Sequence, residues 1–213
     1  MPASSHQNAQ EIFNQAAQRY EEKYMDLSLY QAGLEAFCEQ IKNPKAQILD
    51  IACGPGNLTQ FLLSLRPDFQ ILGIDLAEKM LSLAKRNNPS ATFQLMNATE
   101  ISSLPTIYEG IICGFGLPYL SKEEAIQLIF DAADLLRLRG TLYLSTMEGN
   151  YESSGFVGSS EDKSQQLYTY YHQADYLIEA LQKAGFRQIE QQRREYMRTE
   201  GQIERDLILI ASC

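Results

Sequence analysis

Between residues 47 and 147 the sequence has five short apolar segments separated by stretches with helical periodicity, and this alternation constrains the fold most strongly. The apolar segments span residues 47–52, 69–74, 91–95, 108–114 and 141–147. Continuous apolar strands separated by helices are typical of a parallel sheet covered by helices on both faces. The pattern predicts an α/β fold with a doubly wound, Rossmann-like and mostly parallel sheet.

The flanking segments have helical and strand patterns of their own. Residues 12–20 and 34–41 carry apolar side chains at helical spacing. Ser121 and Glu124 form a capping-box pattern, and helical spacing then continues until Gly140. A last helix runs from about residue 173 to Gly185, and strands follow at 186–192 and 205–211. Because only a short polar turn separates these strands, we expect a hairpin with an antiparallel C-terminal strand.

The charge and cysteine content exclude several functional classes. A net charge of −9 and a pI near 4.8 disfavour nucleic acid as a partner, since phosphate binding needs clustered Lys and Arg. The four cysteines are scattered, and the two histidines are His6 and His172, which indicates neither a disulfide framework nor a metal site. No apolar run is long enough to span a bilayer, and residues 1–10 are polar. We expect a soluble cytoplasmic protein without a membrane partner.

The stretch ILDIACGPGNLT, residues 48–59, is a strand that breaks into a glycine turn before a helix. Such turns let the backbone approach a ligand beyond the carboxyl ends of parallel strands. The dinucleotide fingerprint requires a small residue three positions after its second glycine, but Thr59 follows Gly56 at that distance. Asp50 before the glycines would also repel a pyrophosphate. A nicotinamide enzyme is therefore disfavoured, although a purely structural turn stays possible.

The turn resembles the first motif of class I S-adenosylmethionine-dependent methyltransferases, D/E-x-G-x-G-x-G. Asp50, Gly54 and Gly56 match the acid and the last two glycines of the motif. Ala52 replaces the first glycine, and this departure from the motif is small if the φ angle of Ala52 is negative. Asp75 ends the next strand, where the family's acid binds both ribose hydroxyls; it could also cap a helix with Glu78. Weaker matches to later motifs of the family follow in the same order up to residue 147. The resemblance implies a seven-stranded sheet and S-adenosylmethionine as cofactor, with S-adenosylhomocysteine as product.

The resemblance also implies which positions contact the cofactor. In the family the glycine turn lies against the amino-acid part of the cofactor, the stretch after the third strand contacts adenine, and an aromatic residue often covers the sulfonium. The predicted cofactor-binding residues are Asp50, Ala52, Cys53, Gly54, Gly56, Asp75, Leu76, Met80, Asn97, Ala98, Thr99, Gly114, Phe115, Gly116 and Tyr20.

Fewer sequence features indicate which residues would bind the molecule that accepts the methyl group. Residues 148–166, rich in Ser, Gly and acidic residues, are longer than an ordinary connection and predict a flap, which we count from 148 to 172. No catalytic residue is evident, and the candidates are His172, Glu148 and Tyr171, each of which also has a purely structural interpretation. The candidate substrate-binding residues are Tyr24, Tyr30, Tyr119, Met147, Tyr168 and Tyr170, which could equally fill the core.

We interpret residues 1–213 as one methyltransferase domain, with a helical lid at 1–44, a cofactor-binding core at 45–147, the flap, and a C-terminal helix and hairpin at 173–213. The expected reaction moves a methyl group to an O, N or C atom of a small molecule. The alternative is a non-catalytic cofactor-binding protein that regulates or scaffolds a partner. We expect a monomer or a homodimer.

Overall fold

The computed structural model describes residues 5–158, 166–197 and 203–213. The helices are α1 (Ser5–Tyr24), α2 (Gln31–Gln40), α3 (Asn57–Leu65), α4 (Glu78–Asn87), α5 (Lys122–Leu135) and α6 (Ala174–Lys183). The strands are β1 (Gln47–Ile51), β2 (Gln70–Asp75), β3 (Thr92–Leu95), β4 (Tyr108–Gly114), β5 (Leu136–Met147), β6 (Gly155–Gly158), β7 (Gln166–Thr169), β8 (Gln188–Met197) and β9 (Ile203–Ser212).

Seven strands form one sheet in the order β3-β2-β1-β4-β5-β9-β8. The strands from β3 to β5 pair in parallel, whereas β9 is antiparallel to both β5 and β8. This arrangement confirms the predicted doubly wound α/β fold with an antiparallel C-terminal strand. The strand order reverses direction between β1 and β4, which is the place where open α/β sheets bind ligands.

Alternate side chains of the central strands enter two cores on opposite faces of the sheet. On one face, Ile48 and Ile112 pack with apolar residues of α2 and α3. On the other face, Leu49 and Ile111 pack with apolar residues of α5 and α6. Because both faces are covered, the central strands are apolar at successive positions rather than at alternate ones.

Helix α5 has the predicted capping box but a different end. The Ser121 side chain accepts a hydrogen bond from the Glu124 backbone N–H, and the Glu124 carboxylate accepts one from the Ser121 N–H. The prediction that the helix continues to Gly140 is wrong, since it ends at Leu135. The backbone of Leu136 is already extended and pairs with Tyr108, so the strand begins five residues earlier than the apolar pattern indicated.

The flap contains a short hairpin in which β6 and β7 pair antiparallel, from Gly155 opposite Thr169 to Gly158 opposite Gln166. A 3-10 turn at Tyr151–Ser153 precedes it. The hairpin of β8 and β9 is longer than predicted and pairs from Gln188 to Met197. In the part of the chain that the structure describes, no helix has the length and apolar character needed to cross a membrane.

Candidate functional site

The glycine turn between β1 and α3 uses left-handed backbone conformations. Ala52, Gly54 and Gly56 have φ values of +55°, +53° and +81°. A Cβ atom at Gly56 would overlap the Asn88 amide, so this position requires glycine. The condition that Ala52 keeps a negative φ is wrong, and an alanine in this conformation is strained by roughly 1–2 kcal/mol.

Asp75 fixes the turn through its carboxylate. Its Oδ2 accepts a hydrogen bond from the Gly54 backbone N–H at 2.9 Å, and its Oδ1 accepts one from the Ala77 N–H at 2.8 Å. Burial raises the pKa of Asp75, while these N–H bonds oppose the rise. The alternative capping box with Glu78 does not form, because α4 begins after Ala77 without a side-chain cap. Asp75 at the end of β2 therefore connects to the turn after β1 at the carboxyl end of the parallel strands.

Asp50 is fully buried and faces α3. Its Oδ2 accepts a hydrogen bond from the Thr59 hydroxyl at 2.6 Å, and its Oδ1 has no hydrogen-bond partner among the described residues. Burial raises the pKa of Asp50 to about 7, with a smaller contribution from the Asp75 charge. The carboxylate lines neither of the cavities described below.

Beyond the turn lies a small cavity of about 90 Å³, which we call the inner cavity. Helix α1 covers it, and the Gln10 side chain donates a hydrogen bond to the Leu76 carbonyl at 2.9 Å. Most of the predicted cofactor-binding residues line it. These are Ala52, Gly54, Asp75, Leu76, Met80, Asn97, Ala98, Gly114, Phe115, Gly116 and Tyr20.

The remaining four predicted cofactor residues lie elsewhere. Asp50 in β1 and Gly56 in the turn line neither cavity. Thr99 uses its N–H to donate to the Asn97 side chain at 3.1 Å. Cys53 lines the neighbouring cavity instead. Sequence reasoning did not identify the other lining residues of the inner cavity, although the covering residues on α1 recur at helical spacing. They are His6, Ala9, Gln10, Phe13, Ala77, Met96, Tyr119 and Leu120, of which Tyr119 was assigned to the substrate.

A larger cavity of about 700 Å³, the outer cavity, lies beside the inner one under the flap. It is lined by the candidate substrate-binding residues Tyr24, Tyr30, Tyr119 and Met147 and by the catalytic candidate Tyr171. The two cavities meet at a shared wall, which is defined by the residues that line both. They are Phe13, Tyr20, Ala52, Gly54, Gly114, Phe115 and Tyr119.

The structure does not bring Tyr168 and Tyr170 to the outer cavity. Leu167 and Thr169 of β7 face it, and side chains alternate along the strand, so the two tyrosines lie on the other face. There Tyr168 packs against Phe156, and the Tyr170 ring stacks on Tyr151 at a centroid distance of 5.9 Å.

Two of the three catalytic candidates are held in contacts away from the cavities. His172 is fully buried, its Nε2 donates to the Leu117 carbonyl at 2.8 Å, and its Nδ1 pairs with the Tyr176 hydroxyl. Burial lowers the pKa of His172 and keeps the ring neutral. Glu148 accepts two hydrogen bonds from the Arg193 guanidinium, at 2.6 and 2.7 Å. Both side chains are therefore held by other residues of the chain, and neither lines the inner or the outer cavity.

The cysteines indicate neither a nucleophile nor a metal site. All four thiols are free, and burial raises the pKa of Cys53 and raises that of Cys113 to about 12. Thiols with raised pKa values are weak nucleophiles. Among the described residues, no cluster of His, Cys, Asp and Glu could hold a metal ion.

Comparison with known proteins agrees with this geometry. Residues 48–140 match the family model described as a methyltransferase domain. A demethylmenaquinone methyltransferase from Symbiobacterium thermophilum is 27% identical over 126 residues, which are 54% of this chain and 50% of that protein. A trans-aconitate 2-methyltransferase from Methylobacterium nodulans is 35% identical over 60 residues, 28% of this chain and 23% of that protein. The chain thus spans half the length or less of these curated relatives.

Solved structures show the same fold over nearly the whole chain. A magnesium protoporphyrin IX methyltransferase from Synechocystis with bound S-adenosylhomocysteine matches with a TM-score of 0.71 at 20% identity, covering 98% of this chain and 99% of that one. A methyltransferase from Methanosarcina mazei matches with a TM-score of 0.67 at 19% identity, covering 82% and 95%. At these identities the likeness concerns the fold.

Proposed function

We infer that this chain is a class I S-adenosylmethionine-dependent methyltransferase and transfers the sulfonium methyl group of its cofactor to a small-molecule nucleophile. The observation that supports this function best is the pair of cavities with a shared wall at the switch point of the sheet. One cavity can hold the methyl donor and the other the acceptor. The shared wall then lies where a methyl group passes from one to the other.

The inner cavity has the chemistry that an adenosyl group needs. Its wall is mostly apolar, with Leu76, Met80 and Met96 beside the amide of Asn97. The Asp75 oxygens each accept one backbone N–H bond and keep a second lone pair for ribose hydroxyls. A Cβ atom at Gly54 would meet only Tyr20, at 3.8 Å, so the glycine keeps space open between the turn and the lid.

The chain's own contribution to the reaction is mainly alignment. Methyl transfer requires the acceptor atom, the methyl carbon and the sulfur in line at close range, and fixing this geometry removes much of the entropic barrier. Phe115 and Tyr20 form part of the shared wall, and an aromatic ring attracts a cationic centre that lies over its face. When bound, the cofactor supplies an electrophilic methyl group that is already activated by the positive sulfur.

Calorimetry with S-adenosylmethionine, S-adenosylhomocysteine and NAD tests the cofactor assignment, and transfer of labelled methyl groups to a panel of small acceptors tests the activity. We expect both sulfur nucleotides to bind and NAD not to bind. Asp75→Ala should weaken binding at least tenfold, because it removes charge-assisted hydrogen bonds. The matched control is Asp131→Asn, a nearly buried acid on α5 that pairs with Gln127.

Two results would contradict this function. Binding of NAD alone would mean that the glycine turn serves a different cofactor. Binding of both sulfur nucleotides without methyl transfer to any acceptor would favour the non-catalytic alternative.

A further inference from the structure

Tyr30 lies where the outer cavity approaches the shared wall. Its ring packs edge-to-face against Phe115 with a centroid distance of 5.2 Å. Phe115 itself belongs to the shared wall and is held there by an unusual backbone conformation, with φ of +55°. Tyr30 therefore presents its side chain to an acceptor that is close to the point of transfer.

The Tyr30 hydroxyl donates a hydrogen bond to Oδ2 of Asp206 on β9, at 2.7 Å. Asp206 is only 1% exposed, and its Oδ1 has no hydrogen-bond partner among the described residues. A buried carboxylate in which one oxygen accepts no hydrogen bond is costly to the fold. Buried titratable groups of this kind are common at functional sites, and Asp206, unlike Asp50, contacts a residue that lines a cavity.

We propose that Tyr30 and Asp206 together accept the proton of the methyl acceptor, and that the acceptor is a hydroxyl group, such as a phenol, that keeps its proton in solution. The proposal rests on the proposed methyltransferase function and specifies its substrate class. Tyr30 is the catalytic residue because it contacts the acceptor, and Asp206 acts through it. The aromatic lining of the outer cavity, including Tyr24, Tyr119 and Tyr171, suits an aromatic ring.

The proton and the charges balance in this scheme. The acceptor oxygen forms a bond to the methyl carbon while its O–H bond breaks, and the electron pair of the S–CH₃ bond returns to sulfur. The acceptor proton passes to the Tyr30 oxygen, whose own proton passes to Asp206. The positive sulfonium and the negative carboxylate thus both become neutral.

The titration of the two groups fits these roles. Burial, with a smaller effect of the nearby Glu204, raises the pKa of Asp206 to about 6, which makes it a stronger base than an ordinary carboxylate. Burial and the Asp206 charge raise the pKa of Tyr30, so the phenol stays protonated and relays a proton rather than ionising alone.

Other polar groups also face Asp206 and must be considered in any pH profile. Glu204 lies on the same strand and accepts a hydrogen bond from the Tyr196 hydroxyl at 2.9 Å, and this hydroxyl also lowers the pKa of Asp206 through a hydrogen bond. Arg194 on β8 is the direct register partner of Asp206, and its guanidinium donates to the Gln192 side chain at 2.9 Å. Burial raises the pKa of Tyr143 on β5, and the Asp206 charge adds a smaller effect in the same direction.

A measurement without cofactor or acceptor tests the pair itself. In protein labelled with ¹³C at the aspartate carboxyl groups, the Asp206 resonance is assigned by its loss in Asp206→Asn. We expect it to titrate near pH 6 and to move upward in Tyr30→Phe, because the lost hydrogen bond stabilised the carboxylate. Titration near the ordinary value of 3.8 would overturn the proposal.

Kinetics with two phenols separate proton transfer from a structural role. We use 4-methylphenol, which is protonated at pH 8, and 4-nitrophenol, which is ionised. Tyr30→Phe and Asp206→Asn should each lower kcat for 4-methylphenol about 100-fold, the usual contribution of a general base, and change that for 4-nitrophenol less than fivefold. Wild-type kcat for 4-methylphenol should also fall as the pH drops below 6, and this dependence should be absent in Asp206→Asn.

The outcomes distinguish the proton-accepting role of Tyr30 and Asp206 from the methyltransferase function. Equal losses with both phenols, or no loss with either, would overturn the proton-accepting role while leaving the methyltransferase function intact. Cofactor binding by wild-type protein without transfer to either phenol would overturn the substrate class, and transfer to no acceptor at all would overturn the proposed function with it. Asp131→Asn serves again as the matched aspartate control.

Discussion

Replacing Asp50 by Asn should stabilise the fold at high pH and much less at low pH. The Asp50 carboxylate is fully buried, and only one of its oxygens has a partner among the described residues, the Thr59 hydroxyl. Asn keeps the shape and the acceptor oxygen for Thr59 but carries no charge. The variant therefore removes the cost of a buried negative charge with little change in packing.

The magnitude follows from the pKa shift. Burial raises the pKa of Asp50 from 3.8 to about 7, so the folded state binds a proton more tightly than the unfolded state does. The group's contribution to stability therefore falls as the pH rises from about 4 to about 7. Linkage gives a cost of about 4 kcal/mol at pH 8 and about 1.7 kcal/mol at pH 5.

The pH dependence isolates this effect from packing. Burying the new amide group costs a roughly constant amount at every pH, so it cancels when the two pH values are compared. The difference in unfolding free energy between Asp50→Asn and wild type should therefore rise by about 2.5 kcal/mol from pH 5 to pH 8.

Urea denaturation at both pH values measures this difference. Asp134→Asn, an exposed acid on α5, shows the effect of removing one negative charge from the surface. If the difference between Asp50→Asn and wild type were the same at pH 5 and pH 8, Asp50 would titrate normally and the reasoning from its burial would be wrong.

Three further predictions concern the turn and the lid. Ala52→Gly should raise the free energy of unfolding by about 1 kcal/mol in urea denaturation, because glycine relieves the left-handed strain, and an unchanged or lower value would contradict this. Gly56→Ala should lower it by at least about 2 kcal/mol, since the new methyl group overlaps Asn88, and a neutral result would mean that the turn adapts freely. Gln10→Ala should speed cofactor dissociation severalfold in stopped-flow experiments, because it removes the bond to the Leu76 carbonyl, whereas an unchanged rate would show that this bond does not hold the lid.

The sheet could be predicted from the sequence because strands that are covered on both faces consist mostly of apolar residues. Strands that are apolar at successive positions, such as β1 and β4, could be located to within a residue or two. The end of α5 was missed because Leu136 continues the helical spacing although its backbone pairs with Tyr108. Apolar spacing indicates which residues are buried, and Leu136 is buried although it belongs to the strand.

The turn was predictable for a related reason, since the residues that surround it follow one another in the sequence. The Tyr30 and Asp206 pair was not, because 176 positions separate the two residues and only the packed fold brings them together. Tyr168 and Tyr170, two of the candidate substrate-binding residues, do not line the outer cavity for a third reason. Alternate side chains of β7 face the outer cavity, and a shift of its register by one residue would turn the other set toward it.

The position of α1 has a consequence for the order of events in a catalytic cycle. The helix closes the inner cavity, while the outer cavity is bounded on one side by the flap. An acceptor already seated at the shared wall would block the route between the two cavities. The kinetic mechanism that this arrangement implies is sequential and ordered, with the cofactor first on and its product last off, so S-adenosylhomocysteine should inhibit competitively with S-adenosylmethionine and noncompetitively with the acceptor.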